Sequence, residues 1–91
     1  MMESQRKAVS LRYNKDKDSA PFVSAAGKGY IAEEIIKLAD QHDIPVVEDS
    51  SLVELLAELN LNEYIPEELY QVVAEVFAFI YETDKQLEDK E

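Results

Sequence analysis

Cysteine and tryptophan are absent from the 91-residue sequence, which has only two glycines, three prolines and one histidine. Without cysteine the chain has no disulfide framework, thiolate metal site or thiol nucleophile. One histidine is too few for a metal site built on imidazoles, and the scarcity of glycine and proline indicates regular structure. No apolar run is long enough to span a membrane, and no signal peptide is present. We therefore expect a soluble, cytoplasmic chain without metal, cofactor or membrane span.

Basic charge is scarce beyond the first third of the chain. The net charge is −11, and residues 29–91 carry only three basic groups against seventeen acidic ones. Residues 1–28 carry six basic groups and three acidic ones. Nucleic acids and anionic membrane surfaces attract concentrated basic surfaces, so both are disfavoured as partners. The excess of acid serves either solubility or docking to a basic partner.

The first predicted strand covers residues 7–13, because Val9, Leu11 and Tyr13 alternate with more polar residues. The polar residues 14–20 predict a surface loop, and residues 21–25 predict a second strand antiparallel to the first. Both glycines follow within residues 26–29. Their spacing does not fit a Walker phosphate loop, so we interpret them as a turn between strand and helix.

A helix is predicted from Tyr30 to about His42, because its apolar residues recur at spacings of three and four. The apolar run Ile44–Val47 predicts a third strand, over residues 43–48, that is buried on both faces. Strand, helix and strand in this order predict a βαβ unit with a right-handed crossover.

Two more helices complete the prediction. Ser51 and Glu54 have the spacing of a capping box, and the helix they begin should end near Asn60. Pro66 suits the first turn of a third helix that reaches about residue 81. Apolar residues occur on nearly all sides of this helix, which indicates either deep burial or a second face for a partner.

The pattern predicts one small α/β domain over residues 7–81. Residues 1–6 form an N-terminal extension, and residues 82–91 an acidic, flexible tail. No Ser–His–Asp set or carboxylate pair stands out at catalytic spacing. A small enzyme using His42 with Asp43 or Glu48 is the remote alternative. The residues therefore favour a non-enzymatic domain.

Five sequence blocks follow one another in order over about residues 6–81: Ala8–Tyr13, Pro21–Val23 with Ala26–Gly29, His42–Glu48, Ile65–Tyr70 and Val73–Val76. Together they resemble the cytoplasmic domain of the FlhB/YscU family, which includes HrcU, SpaS and EscU. These proteins are export-gate components of flagellar and virulence type III secretion. The resemblance implies a mixed sheet of three to four strands, the fourth near residues 62–65, packed with three or more helices.

In that family an Asn-Pro-Thr-His motif precedes the first strand, and its Asn cuts the chain before the Pro. Alignment places Glu3, Ser4, Gln5 and Arg6 at the four motif positions, and none matches. A carboxylate is a far poorer nucleophile than an amide toward its own peptide carbonyl, so we predict no self-cleavage. The family's membrane-embedded half is also missing. The chain is either a separate polypeptide, which its starting point favours, or a piece of a longer protein with a degenerate motif.

The resemblance implies a non-enzymatic interaction module in protein export or in its substrate-specificity switch. Its expected partners are export-apparatus proteins or export substrates, met in the cytoplasm near the membrane-bound gate; no small-molecule substrate is indicated. A competitor of the full-length gate protein is the alternative, and the system served, flagellar or virulence, stays open. The candidate surface is the first strand and the loop after it, with the basic residues Arg6, Lys7, Arg12, Lys15, Lys17 and Lys28. That these are ordinary solvated charges remains an open alternative.

Overall fold

A computed structural model describes residues 6–89, with the side chains of residues 6–82. The predicted α/β class is confirmed, with fewer strands than expected. None of the helices in the described part of the chain is long and apolar enough to cross a membrane. The elements are β1 (Lys7–Arg12), β2 (Phe22–Lys28), α1 (Tyr30–Gln41), α2 (Ser50–Leu56), a 3₁₀ turn (Glu67–Leu69) and α3 (Tyr70–Asp89).

The sheet consists of β1 and β2, which pair antiparallel as predicted. Lys7 lies opposite Lys28 and Leu11 opposite Val23, and one extra residue of β2, Ser24, bulges out between the two halves of the ladder. β2 is longer than predicted, because it continues through residues 26–28 instead of turning there. The turn falls at Gly29, whose φ of 62° is unfavourable for residues with a Cβ.

Residues 62–65 close the other edge of β2. The Val23 N–H donates to the Glu63 carbonyl (3.0 Å), the Asn62 N–H donates to the Val23 carbonyl (2.7 Å), and the Ile65 N–H donates to the Pro21 carbonyl (2.9 Å). The expected fourth strand is reduced to one bridge between Phe22 and Tyr64. Asn62 adopts a φ of 69°, which interrupts an extended strand at that point.

The third strand and the βαβ unit were wrong predictions. Residues 44–49 form no strand and pair with none among residues 6–89, so the described sheet has no parallel pair. Asp43, with a φ of 58°, reverses the chain after α1, and the Ile44 N–H donates to the Ala39 carbonyl at 2.8 Å. The apolar run suggested burial on both faces, yet Ile44 is 55% exposed and Val46 is 51% exposed.

The helices agree with the sequence in position and differ at their ends. Asp49, not Ser51, caps α2, because its carboxylate accepts from the Leu52 N–H at 3.0 Å. This helix ends at Leu56, well before Asn60. The helix α3 continues to Asp89, beyond its predicted end at residue 81. The flexibility of residues 82–91 remains a prediction.

The core lies between the sheet, α2 and α3. Val23 and Val73 are the largest fully buried side chains among the described residues. The central cluster consists of Ala20, Leu52, Leu56, Ile65 and Val73, with Val9, Leu11, Val76 and Phe77 packed around it. α1 lies against the other face of the sheet, where Ile31 contacts Gly27. Gly27 pairs with Ala8, and both residues lie on the face of the sheet opposite to the core. The two-stranded sheet is therefore covered on both sides.

Replacing Gly27 with alanine should lower the free energy of unfolding by about 1–3 kcal/mol, because overpacking forces neighbouring atoms apart. A Cβ at this position would lie 2.7 Å from the Ile31 Cβ, inside van der Waals contact. Urea denaturation followed by circular dichroism measures the loss. The same substitution in an Ile31→Gly background should cost much less, because both colliding atoms, the Ile31 Cβ and Cγ2, are gone. An equal loss in both backgrounds would contradict the steric explanation.

Candidate functional site

The six basic candidates form two groups at opposite ends of β1. Arg6, Lys7 and Lys28 lie where β1 begins and β2 ends, whereas Arg12 lies at the far end, next to the loop that carries Lys15 and Lys17. A six-residue strand separates its two ends by about 17 Å. The predicted basic surface is therefore split in two, and its role in binding remains a prediction.

Each basic group is partly balanced by nearby acid. The Lys7 Nζ lies 2.8 Å from the Glu54 Oε1 on α2. Exposed ion pairs of this kind stabilise a fold by only about 0.2–1 kcal/mol. The contact therefore orients the Lys7 side chain but adds little to the stability of the domain. In the loop, Asp16 and Asp18 alternate with the two lysines. Neither group forms a concentrated positive patch.

The loop after β1 has a defined shape because Asn14 organises it. The Asn14 side chain accepts from the Asp16 N–H at 2.9 Å, and its backbone carbonyl accepts from the Asp18 N–H at 2.7 Å. The Asp18 carboxylate in turn accepts from the Asn14 N–H at 3.0 Å. This closed turn places Ala20 and Pro21 next to α3.

A small apolar pocket lies where this loop meets α3. It encloses about 210 Å³ and is open to solvent at one side. Its deepest residues, Ala20, Ile65 and Val73, also belong to the core cluster. The rings of Tyr13 and Phe77 stack at one wall, with centroids 6.4 Å apart. The complete lining is Tyr13, Ser19, Ala20, Pro21, Ile65, Tyr70, Val73, Ala74 and Phe77.

The size and lining of the pocket point to a side chain as its occupant. Small-molecule sites usually measure about 300–1,000 Å³ and carry several convergent polar groups. This pocket is smaller, and apart from the Ser19 and tyrosine hydroxyls its side chains are apolar. Pockets of this kind bind the apolar anchor residue of a protein partner. It lies beside the loop of the predicted surface, although the apolar lining was not predicted.

A larger apolar groove of about 680 Å³ lies between β1, α1, residues 44–49, α2 and α3. His42 lies at its border and is exposed. Among the described residues, no hydrogen bond or ion pair joins the His42 imidazole to Asp43 or Glu48. The described residues also contain no group of three or more potential metal ligands.

The positions of the missing cleavage motif are mostly outside the described residues. Glu3, Ser4 and Gln5 precede the described part of the chain, and Arg6 is its first residue. The Arg6 carbonyl accepts from the Gly29 N–H at 2.8 Å, which ties the start of β1 to the end of β2. The absence of self-cleavage therefore stays a prediction from the sequence.

In the comparison with protein families, residues 2–80 match the FlhB, HrpN, YscU and SpaS family. The uncharacterized protein YlqH of Bacillus subtilis is 49% identical over 85 residues, which cover 93% of this chain and 91% of YlqH. The flagellar biosynthetic protein FlhB of the same organism is 33% identical over 81 residues, which cover 88% of this chain and 22% of FlhB.

A solved structure agrees with the sequence relatives. The crystal structure of the PscU C-terminal domain matches with a TM-score of 0.77 and 28% identity. The match covers 81% of this chain and 95% of that domain. The chain thus spans nearly all of the PscU domain and of YlqH, but only about a fifth of FlhB.

Proposed function

Because the chain belongs to the FlhB, HrpN, YscU and SpaS family, we propose that it is a protein-docking module of a flagellar or type III export apparatus. Its relatives include a flagellar biosynthetic protein and the C-terminal domain of PscU. Since the chain covers 22% of that FlhB, the proposal concerns docking alone and not the activity of the whole protein.

The apolar pocket between the loop and α3 is the observation that supports docking best. Its deep residues are held by the core, so the pocket is preformed and a partner would not have to order it. An exposed Tyr70 and a half-buried Phe77 flank it, and aromatic side chains often dominate binding energy at interfaces. The proposed ligand is an apolar side chain within an exposed segment of an export substrate or of an export-apparatus protein.

The proposed place of action is the cytoplasmic face of the membrane, beside the export gate. Cross-linking of the affinity-tagged protein in its host, followed by mass spectrometry, tests this proposal. We expect export-apparatus proteins or export substrates to be enriched over a tag-only control. Enrichment of neither class would contradict it. If binding persists after Arg6, Lys7 and Arg12 are changed to glutamate, the basic surface is excluded as the binding site. The pocket then remains the candidate.

A competitor of the full-length gate protein is the second candidate. It would use the same surfaces and have the opposite effect on export. The sign of the change in export on deleting the gene separates the two. Enzymatic use of His42 has less support, because the imidazole is exposed and not held by a carboxylate among the described residues.

We predict that the purified protein keeps its full mass of 10.4 kDa during storage. The reason is that Glu3 and Ser4 stand where a self-cleaving chain needs Asn and Pro. Mass spectrometry of fresh and aged samples at neutral pH measures this directly, with trypsin-treated protein as a positive control for fragment detection. Fragments that divide the chain between Glu3 and Ser4 would contradict the prediction.

A further inference from the structure

The small pocket takes part of its lining from both ends of the loop formed by residues 14–18. Tyr13 directly precedes this loop, and Ser19, Ala20 and Pro21 directly follow it. All side chains of residues 14–19 are polar, so the loop has no apolar side chain that could anchor it to the domain. Its position therefore depends on hydrogen bonds.

The Asp18 carboxylate joins the two ends of this loop. Its Oδ2 accepts from the Asn14 N–H at 3.0 Å. Tyr13 comes directly before the donor residue, and Ser19 comes directly after the acceptor residue. An ionised acceptor makes a stronger hydrogen bond than a neutral one. The bond therefore fixes the separation between two residues of the pocket wall.

The other oxygen of this carboxylate contacts a residue beside β2. The Tyr64 hydroxyl donates to the Asp18 Oδ1 at 3.5 Å, a longer and weaker contact than the first. The Tyr64 ring packs edge-on against Phe22, with centroids 5.8 Å apart, and the two residues also form a β-bridge. A carboxylate accepts on both oxygens at once, so Asp18 also ties the loop to a residue that the sheet holds in place.

The two parts of the pocket wall differ in how firmly the rest of the domain holds them. Ala20 is 3% exposed, and the Pro21 carbonyl accepts from the Ile65 N–H at 2.9 Å. Tyr13 lies beyond the last residue of β1, is 45% exposed and stacks on Phe77. Exposed groups outside regular structure are the least restrained parts of a fold. The Tyr13 side of the pocket is therefore the side that the carboxylate holds.

We propose that Asp18 is a positioning residue of the pocket: its carboxylate holds Tyr13 where the ring closes one side of the pocket around an apolar side chain. Asp18 does not itself line the pocket. This inference rests on the proposed function, because it assumes that the pocket receives a ligand. The apparent affinity of a site falls with the fraction of molecules in which the site is formed. Asp18 therefore raises the rate of association and leaves the contacts of the bound segment unchanged.

The test compares Asp18→Ala with Asp16→Ala. Both substitutions remove one negative charge from the same loop, but the Asp16 carboxylate makes no hydrogen bond or ion pair with a residue that the structure describes. Biolayer interferometry with purified flagellar rod, hook and filament proteins measures both rate constants. Asp18→Ala should slow association at least ~fivefold and change dissociation less than ~twofold, whereas Asp16→Ala should change neither.

Asp18→Asn provides a conservative rescue. Its amide oxygen still accepts from the Asn14 N–H, so the association rate should return to within ~twofold of that of the unaltered protein. Equal effects of Asp18→Ala and Asp16→Ala would overturn the inference. Faster dissociation with unchanged association would also overturn it, because that result indicates a lost contact with the ligand.

Nuclear magnetic resonance of the free protein supplies a readout that needs no partner. Asp18→Ala should weaken the nuclear Overhauser effects between the rings of Tyr13 and Phe77. Those between Phe22 and Tyr64, which the sheet holds, should persist and show that the variant is folded. Unchanged contacts between the first two rings would contradict the positioning role. If none of the export proteins binds the unaltered protein, the proposed function fails, and the ring contacts still decide the role of Asp18.

Discussion

Replacing Leu56 with alanine is expected to lower the free energy of unfolding by about 2–5 kcal/mol. Leu56 is 5% exposed and belongs to the central cluster, where α2 packs beside Val73 of α3. Its removal leaves a cavity, because the short helix α2 is held by its Asp49 cap and cannot move freely to fill the space. Domains of this size have a total stability of about 5–15 kcal/mol, so the loss is a large fraction. Urea denaturation followed by far-ultraviolet circular dichroism measures it.

The adjacent Leu55 provides the control for this prediction. It has the same side chain on the same helix, but it is 50% exposed. Leu55→Ala should therefore change the free energy of unfolding by less than about 1 kcal/mol. Similar losses of unfolding free energy for the two variants would mean that α2 does not pack against the core through the face that carries Leu56.

The second large effect is expected at the pocket. Ala74→Asp should reduce affinity for export substrates at least tenfold, which corresponds to about 1.4 kcal/mol. Ala74 lines the pocket on the exposed side of α3, so the carboxylate would meet the apolar anchor of the bound segment. Burial of an unpaired carboxylate against apolar groups is strongly unfavourable. Biolayer interferometry with immobilised protein and purified flagellar rod, hook and filament proteins measures the affinity.

Ala78→Asp is the matched control, because Ala78 lies one helical turn further along α3 and is also exposed. It does not line the pocket. Both substitutions lower helix propensity by the same amount, so any difference in affinity comes from position. We expect Ala78→Asp to bind within twofold of the unaltered protein. Equal weakening by both variants would exclude the pocket as the docking site.

Most strands and helices could be predicted from the sequence, because the spacing of apolar residues within each segment indicates its type. The alternation of Val9, Leu11 and Tyr13 identified β1, and the apolar stripe from Tyr30 identified α1 to within a residue of its end. The third strand predicted at residues 43–48 could not be judged in this way. Its apolar pattern is that of a buried strand, but pairing depends on a neighbouring strand, and none lies beside it in the described part of the chain.

The pocket shows a different limit of sequence reasoning. Charge was the visible signal, so the prediction concentrated on Lys7, Arg12 and the other basic residues, which the fold divides between two ends of β1. Ala20, Ala74 and Phe77 are ordinary core residues in a sequence pattern. They form a cavity only because the loop organised by Asn14 reaches α3. The available clue was that apolar residues occur on nearly all sides of α3, which is consistent with a second face that contacts a partner.

The most direct test of the docking role is an export assay in the host. The gene is deleted and then restored as the unaltered, Ala74→Asp or Ala78→Asp form, and exported flagellar and type III proteins are quantified in the culture medium. A docking module predicts that export falls on deletion and recovers with the unaltered and Ala78→Asp forms but not with Ala74→Asp. Unchanged export after deletion, or full recovery with Ala74→Asp, would contradict the account.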